Sequence, residues 1–232
     1  MAEKLRVVVI GTGNIGGIVC RCIQGREDME LVGVWAHKET AGHLIGTDAG
    51  LLDGYEPCGI TITGDEEDIF ALAPDCAIMV INVRDPRAAM AVNGEWYAKL
   101  LTRGINVVTP SVGDLLWPKG AVSPEFVAAM QAAGEAGGAS IYMNGQEPGY
   151  AESQAFLLAS CSNTIKRLTI SEMYNYSTAP VKQELSLPYG FGEPMEYTCM
   201  FEDPSMLDMI WGITVRHIAN YLGYEIERKE GF

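Results

Sequence analysis

The chain has 232 residues, 48% of them hydrophobic and 20% charged, and carries a formal net charge of −14 with a pI near 4.6. That length and apolar content suit one large domain or two small ones with a real core, whereas the acidity argues against nucleic acid and anionic membrane surfaces as partners. No apolar run approaches the roughly 20 residues that span a bilayer, and residues 7–11 lead into glycines without the cleavage site of a signal peptide, so a cytoplasmic protein is expected.

The first half alternates strand and helix signals. LRVVVIG (5–11) is a continuous apolar run, as expected of a central parallel strand covered on both faces. NIGGIVCRCIQ (14–24) reads as a helix opened by glycines, and MELVGVWA (29–36) as a second strand. Residues 42–59 are Gly-rich and predict a short helix and a loop; ITIT (60–63) predicts a short strand. DEEDIFALAP (65–74) is a helix whose acidic first turn complements the dipole. A buried strand (75–83), a long helix (85–104), a strand (105–111), a helix (123–137) and a strand (139–145) follow. This alternation predicts a Rossmann-type, doubly wound parallel sheet, with all strand C-termini on the edge where ligands bind.

The character changes near Gly145, giving a dinucleotide-binding domain at 1–145 and a second domain at 146–232. Residues 152–163 suggest a helix, and TIKRLTISEMYNYS (164–177) alternates like a strand. Residues 179–198, rich in Pro, Gly and Tyr, predict a loop. Residues 205–223 form one amphipathic helical pattern with a glycine stop, and 224–230 resemble the first half of a strand. The second domain is therefore expected to be an incomplete α/β domain that stops in the middle of a pattern. The six cysteines (20, 22, 58, 76, 161 and 199) form no C-x-x-C pair, so no metal site is expected and most should be buried small hydrophobes.

Gly11, Thr12, Gly13, Asn14, Ile15 and Gly16 satisfy G-x-G-x-x-G in the strand–turn–helix frame that gives the motif its meaning. Gly11 permits the turn, Gly13 lets the backbone approach a pyrophosphate, and Gly16 lets helix and strand pack closely. An NAD site usually carries an Asp or Glu at the end of the second strand; this chain has His37 and Lys38 there, and only then Glu39. A donor and a cation welcome a 2′-phosphate that a carboxylate would repel, which favours NADP(H), with NAD(H) left open by Glu39.

Candidate chemistry lies in the loops after the later strands: Asn82 and Arg84 after the fourth, Ser111, Asp114 and Trp117 after the fifth, Asn144, Glu147 and Tyr150 after the sixth. Each has a plainer reading. Asp114 fits a Gly-Asp turn, Tyr174 and Tyr176 at alternate positions fit one face of a strand, and His217 fits a packed core or interface position.

Three stretches carry a family resemblance: INVVTPSVGDLLWP, the Gly145–Tyr150 turn GQEPGY, and GFGEP at 190–194. With them the chain resembles the dihydrodipicolinate-reductase-like oxidoreductases, in particular the 2,4-diaminopentanoate dehydrogenase and native amine dehydrogenase group. The resemblance implies a Rossmann domain, a second α/β domain with an open sheet that often forms a homodimer contact, and NAD(P)-dependent interconversion of amines and ketones. It also implies a carboxylate for the amine. The family's loop glutamate has no clean counterpart, since Val112 or Gly113 falls in its register; Asp114 and Glu147 are the carboxylates that could replace it. Trp117, Asn144, Tyr150, Tyr174 and Tyr176 are then expected to line the substrate pocket. Family chains run well past residue 232, so the C-terminal pattern reads as a strand cut short.

Overall fold

A computed structural model describes residues 3–83, 86–119, 121–177 and 183–230. The chain divides into two compact units, Met1–Gly145 and Gln146–Phe232.

The first unit is a six-stranded, all-parallel sheet in the order β3-β2-β1-β4-β5-β6. Its strands are β1 (Leu5–Ile10), β2 (Met29–Trp35), β3 (Ile62–Thr63), β4 (Cys76–Met79), β5 (Asn106–Thr109) and β6 (Ile141–Met143). This is the doubly wound order expected from the strand–helix alternation. The apolar run of β1 divides by parity, because successive side chains point to opposite faces. Val7 and Val9 pack with Cys20 and Ile23 of helix α1 (Asn14–Gln24), while Val8 and Ile10 pack with Trp35, Trp96, Tyr97 and Leu100 on the other face. Both faces are covered, so an uninterrupted apolar strand is stable here.

The connecting helices are α2 (Lys38–Ala41), α3 (Glu66–Ala71), α4 (Pro86–Thr102) and α5 (Pro124–Gly137). Ser123 caps α5 by accepting the Phe126 N–H at 3.2 Å, and Pro124 occupies the first helical position, where no N–H is needed. Helices α4 and α5 cross closely enough that a Cβ on Gly137 would stand 1.9 Å from the Leu101 carbonyl oxygen.

The second unit holds α6 (Tyr150–Ser160), α7 (Gln183–Tyr189), α8 (Pro204–Ile210) and α9 (Gly212–Tyr221). Helices α6 and α9 meet through Phe156, which stacks on Tyr221 at 3.9 Å and takes His217 edge-on at 4.9 Å. His217 is thus a packing residue, and burial lowers its pKa.

Several expectations for this unit need correction. The alternating stretch 164–177 and residues 224–230 form no strand among the described residues, because alternation encodes a two-faced segment but not the neighbour that must complete its ladder. Its later part does keep one face: Leu168, Ile170, Glu172, Tyr174 and Tyr176 line a common cavity, which Ile165, Lys166 and Arg167 join without regard to parity. The expected loop at 179–198 contains α7, with Pro188 inside it. The single helix expected at 205–223 is interrupted at Trp211, next to Gly212, where a Cβ would fall 2.2 Å from the Asp208 carboxylate. Of the cysteines, only Cys20 and Cys76 are buried, and burial pushes the Cys20 thiol up to about 12. Among the described residues, no helix is long and apolar enough to cross a membrane.

Candidate functional site

Because every strand of the first unit is parallel, the residues that follow them gather on one sheet edge. The glycine turn follows β1. Gly11 has φ +116°, a conformation that L side chains rarely adopt, and a Cβ there would lie 3.0 Å from the Val80 carbonyl oxygen. A Cβ on Gly16 would lie 2.2 Å from the Gly11 carbonyl oxygen, so the turn closes only without one. Gly13 is the opposite case: no heavy atom stands within 4 Å of where its Cβ would be. Its glycine therefore keeps space open outside the protein's own packing. Beside it, α1 begins without a side-chain cap, and Thr12, Asn14 and Ile15 complete the turn. Uncapped first-turn N–H groups and the helix dipole suit an anionic group, so these residues fit a dinucleotide pyrophosphate.

His37 and Lys38 follow β2. His37 caps α2: its Nδ1 accepts the Glu39 N–H at 3.3 Å, which leaves Nε2 as the donor of the neutral ring. Lys38 lays its stem over Gly64, where its Cγ would stand 2.9 Å from an added Cβ. Asn82 follows β4 and is exposed; Arg84 lies outside the described residues. Ser111 follows β5, its N–H donating to Thr109 Oγ1 at 3.0 Å and its hydroxyl to the Met79 carbonyl at 3.3 Å, so it fastens the end of β5 to the end of β4. Asp114 lies in the short 3-10 turn Gly113–Leu116, and Trp117 ends that turn. Asn144 follows β6, its N–H donating to the Thr109 carbonyl at 3.1 Å.

The second unit brings together a different set. Glu147, Glu172, Tyr174, Tyr176, Tyr189 and Trp211 are among the walls of a cavity of about 960 Å³. Its aromatic rings are joined in a series that passes through Phe201, a ring outside the lining. Tyr174 and Tyr176 lie 5.7 Å apart, Tyr176 and Tyr189 5.7 Å, Tyr189 and Phe201 4.9 Å, and Phe201 and Trp211 5.0 Å between ring centroids. The Trp211 indole N–H points to Glu172 Oε2 at 3.5 Å. Burial, reinforced by the charges of Glu172 and Glu152, pushes the Glu147 carboxyl up to about 7. Tyr174 and Tyr189 are raised as well, by burial and then by neighbouring groups.

Glu152 sits in the first turn of α6, fully buried, and accepts the Gly149 N–H at 2.6 Å. Gly149 has φ +138°, which glycine tolerates. Thr214 of α9 reaches Glu152 Oε1 at 2.6 Å and also contacts Glu147 Oε1.

Of the expected pocket residues, the cavity gathers Glu147, Tyr174 and Tyr176. Tyr150 opens α6 and is 60% exposed, outside the described lining, and Asp114, Trp117 and Asn144 belong to the first unit. Sequence reasoning missed Glu152, Glu172, Thr214, Tyr189 and Trp211. Two signals were available: Glu152 stands at the third helical position after Gly149, as in a capping box, and Glu172 shares the parity of Tyr174 and Tyr176.

Residues 5–108 match the family model described as dihydrodipicolinate reductase, N-terminus. An amine dehydrogenase from Streptomyces virginiae is 29% identical over 227 residues, covering 96% of this chain. A 4-hydroxy-tetrahydrodipicolinate reductase from Bartonella bacilliformis is 33% identical over 87 residues, covering 37% of this chain and 30% of that protein. The dipicolinate-bound dihydrodipicolinate reductase from Paenisporosarcina sp. TG-14 superposes with a TM-score of 0.45 at 17% identity, over 68% of this chain and 53% of that one. The chain spans 61% of the length of the amine dehydrogenase it matches. The sequence matches support the dihydrodipicolinate-reductase-like oxidoreductases as the group that this chain resembles.

Proposed function

We propose that the protein is an NAD(P)H-dependent oxidoreductase that interconverts small amines and ketones through an imine. The observation that carries this reading is Glu147, a carboxyl raised to about 7 in a cavity walled by Tyr174, Tyr176, Tyr189 and Trp211. A chamber with aromatic faces suits an organic substrate, Glu147 and Glu172 give it carboxyl groups for an ammonium or iminium cation alongside the positive charges of Lys166 and Arg167, and a carboxyl group there can exchange protons near neutral pH.

In this reading, the Gly11–Gly16 turn and the N-terminus of α1 hold the pyrophosphate, and the bound nicotinamide supplies a hydride. His37 and Lys38 take the 2′-phosphate, making NADP(H) the preferred cofactor and NAD(H) the alternative. Asn82, Arg84 and Ser111 complete the cofactor side. Glu147 meets the amine nitrogen or the departing oxygen, and Asp114 is the second carboxylate assigned to the chemistry. Asn144, Trp117 and Tyr150 are assigned to the substrate's surroundings, the protein acts in the cytoplasm, and two copies form a homodimer.

Lys38→Glu should raise the Kd for NADPH by about tenfold or more, because it replaces an attractive charge with a repulsive one, and leave NADH within about twofold. Fluorescence titration with each nucleotide measures this. Equal losses for both nucleotides would remove the 2′-phosphate role from this turn.

A second reading, carbonyl reduction without ammonia, draws on the same raised carboxyl, since a carboxylic acid can protonate a carbonyl oxygen directly. NADPH absorbance followed with a panel of ketones, with and without ammonium, separates the two. Consumption only with ammonium supports amine chemistry, consumption without it supports carbonyl reduction, and nucleotide binding without consumption overturns both.

A further inference from the structure

Thr214 has one hydroxyl proton and stands between two carboxyl groups. Its Oγ1 lies 2.6 Å from Glu152 Oε1 and makes a second short contact with Glu147 Oε1. The single hydroxyl proton can be donated along one of these contacts only, so filling both takes a proton from one of the carboxyl groups. The surroundings decide which. Glu152 Oε2 already accepts the Gly149 N–H at 2.6 Å, in the first turn of α6, where the helix dipole favours negative charge. Glu147 instead lies partly buried in the cavity wall and within hydrogen-bond reach of a second carboxyl group, Glu172, whose charge and hydrogen bond both favour the protonated form of Glu147. The arrangement that fills both contacts therefore runs from Glu147 to Thr214 to Glu152, with the hydroxyl donating to Glu152 and accepting from Glu147.

We propose that Thr214 is a positioning residue that fixes Glu147 as the carboxylic acid of the cavity, by giving its own proton to the Glu152 carboxylate. Glu147 is then the proton donor of the site. This rests on the reading of the cavity as the substrate site. Acting on a carbinolamine formed from ketone and ammonia, the Glu147 proton passes to the hydroxyl oxygen and the C–O bond breaks. Water leaves, and the nitrogen lone pair forms the C=N bond. A neutral acid and a neutral carbinolamine thus become a carboxylate and an iminium cation, which pair in the aromatic cavity. A bound nicotinamide would supply the hydride that the iminium takes up, and Glu147 would regain its proton from a hydronium ion of the solvent, the one proton that the overall reduction consumes. Among the described residues, the other groups facing Glu147 are Glu172 and Tyr174 on the 164–177 segment, Lys166 and Arg167 of that segment line the same cavity, and His217 lies on α9 near Glu152. Thr214 is distinct from them in contacting both carboxyl groups.

The sign of one shift tests the direction of these hydrogen bonds. Infrared difference spectroscopy of the whole protein, without substrate, should show a protonated-carboxyl C=O band that titrates near neutral pH and is absent in Glu147→Gln. In Thr214→Val the midpoint should fall by about half to one pH unit, the size of one hydrogen bond, because the acid form loses its acceptor. Thr214→Ser should restore it. A midpoint that rises in Thr214→Val means that the hydroxyl donates to a Glu147 carboxylate, and overturns the proposal. So does a wild-type protein with no such band at pH 6, a measurement that stands even if the valine variant does not fold. Where amine or ketone turnover is present, the alkaline limb of kcat/KM should move with the infrared midpoint. Shifts of the expected sign in a protein that turns over neither substrate would sink the proposed function and leave the role of Thr214 intact.

Discussion

Glu147→Gln is expected to lower kcat for amine or ketone conversion by about 10²–10⁴-fold, the usual contribution of a positioned proton donor, with NADPH affinity within about twofold of wild type. The substitution preserves the shape of the side chain but removes a proton that can be given up. The pH profile adds a sign. Glu147 titrates at about 7, so the wild-type activity that needs the acid form should decline as pH rises through 7, and the residual activity of the variant should lack that limb. Stability follows the same linkage. A carboxyl raised from 4.5 to about 7 on folding stabilises the folded chain fully below the unfolded value, and that contribution is lost as pH rises through the folded one. The wild-type Tm should therefore fall between about pH 4.5 and 7 relative to the Gln variant. Full turnover in Glu147→Gln, with an unchanged alkaline limb, would assign the chemistry elsewhere, with Asp114 the next carboxylate to replace.

The second large effect separates two glycines of one motif. Gly13→Ala should leave stability within about 1 kcal/mol, because its Cβ meets nothing within 4 Å and its φ of −73° suits alanine. It should nonetheless weaken NADPH binding by at least about tenfold, since the methyl occupies the space through which a pyrophosphate approaches the backbone. Gly16→Ala should fail differently. Its Cβ would sit 2.2 Å from the Gly11 carbonyl oxygen, so β1 and α1 must separate. A loss of about 1–3 kcal/mol or more is expected, with binding lost as a consequence. Urea denaturation beside nucleotide titration distinguishes the two outcomes. A Gly13→Ala protein that binds NADPH normally would remove the turn as the nucleotide site.

The glycines of the first unit were legible because their reasons are local. A turn between a buried strand and a helix needs Gly11 at positive φ and Gly16 without a Cβ, and both demands fall within six residues of sequence. The parallel sheet was legible for a similar reason: the apolar run at Val7–Ile10 makes sense only where helices cover both faces. His37 and Lys38 could be placed at the end of β2 by counting, although the capping bond from Glu39 N–H to His37 Nδ1 could not.

The second unit resisted because its chemistry joins distant segments. Glu147 precedes α6, Glu152 lies within it, Glu172 falls in the alternating stretch and Thr214 on α9. No spacing rule links residues 67 positions apart, and packing alone brings the Thr214 hydroxyl to Glu147. Alternation told which side chains share a face from Leu168 to Tyr176, since that is a property of one segment, whereas Ile165, Lys166 and Arg167 line the cavity irrespective of parity. Whether the segment joins a ladder depends on a neighbouring strand, and none accompanies it among the described residues. The sequence by itself thus determined which side chains are apolar, which positions need glycine and in what order strands and helices follow. The tertiary structure alone decided which polar groups share a proton, because burial and hydrogen-bond partners are set by contacts between segments.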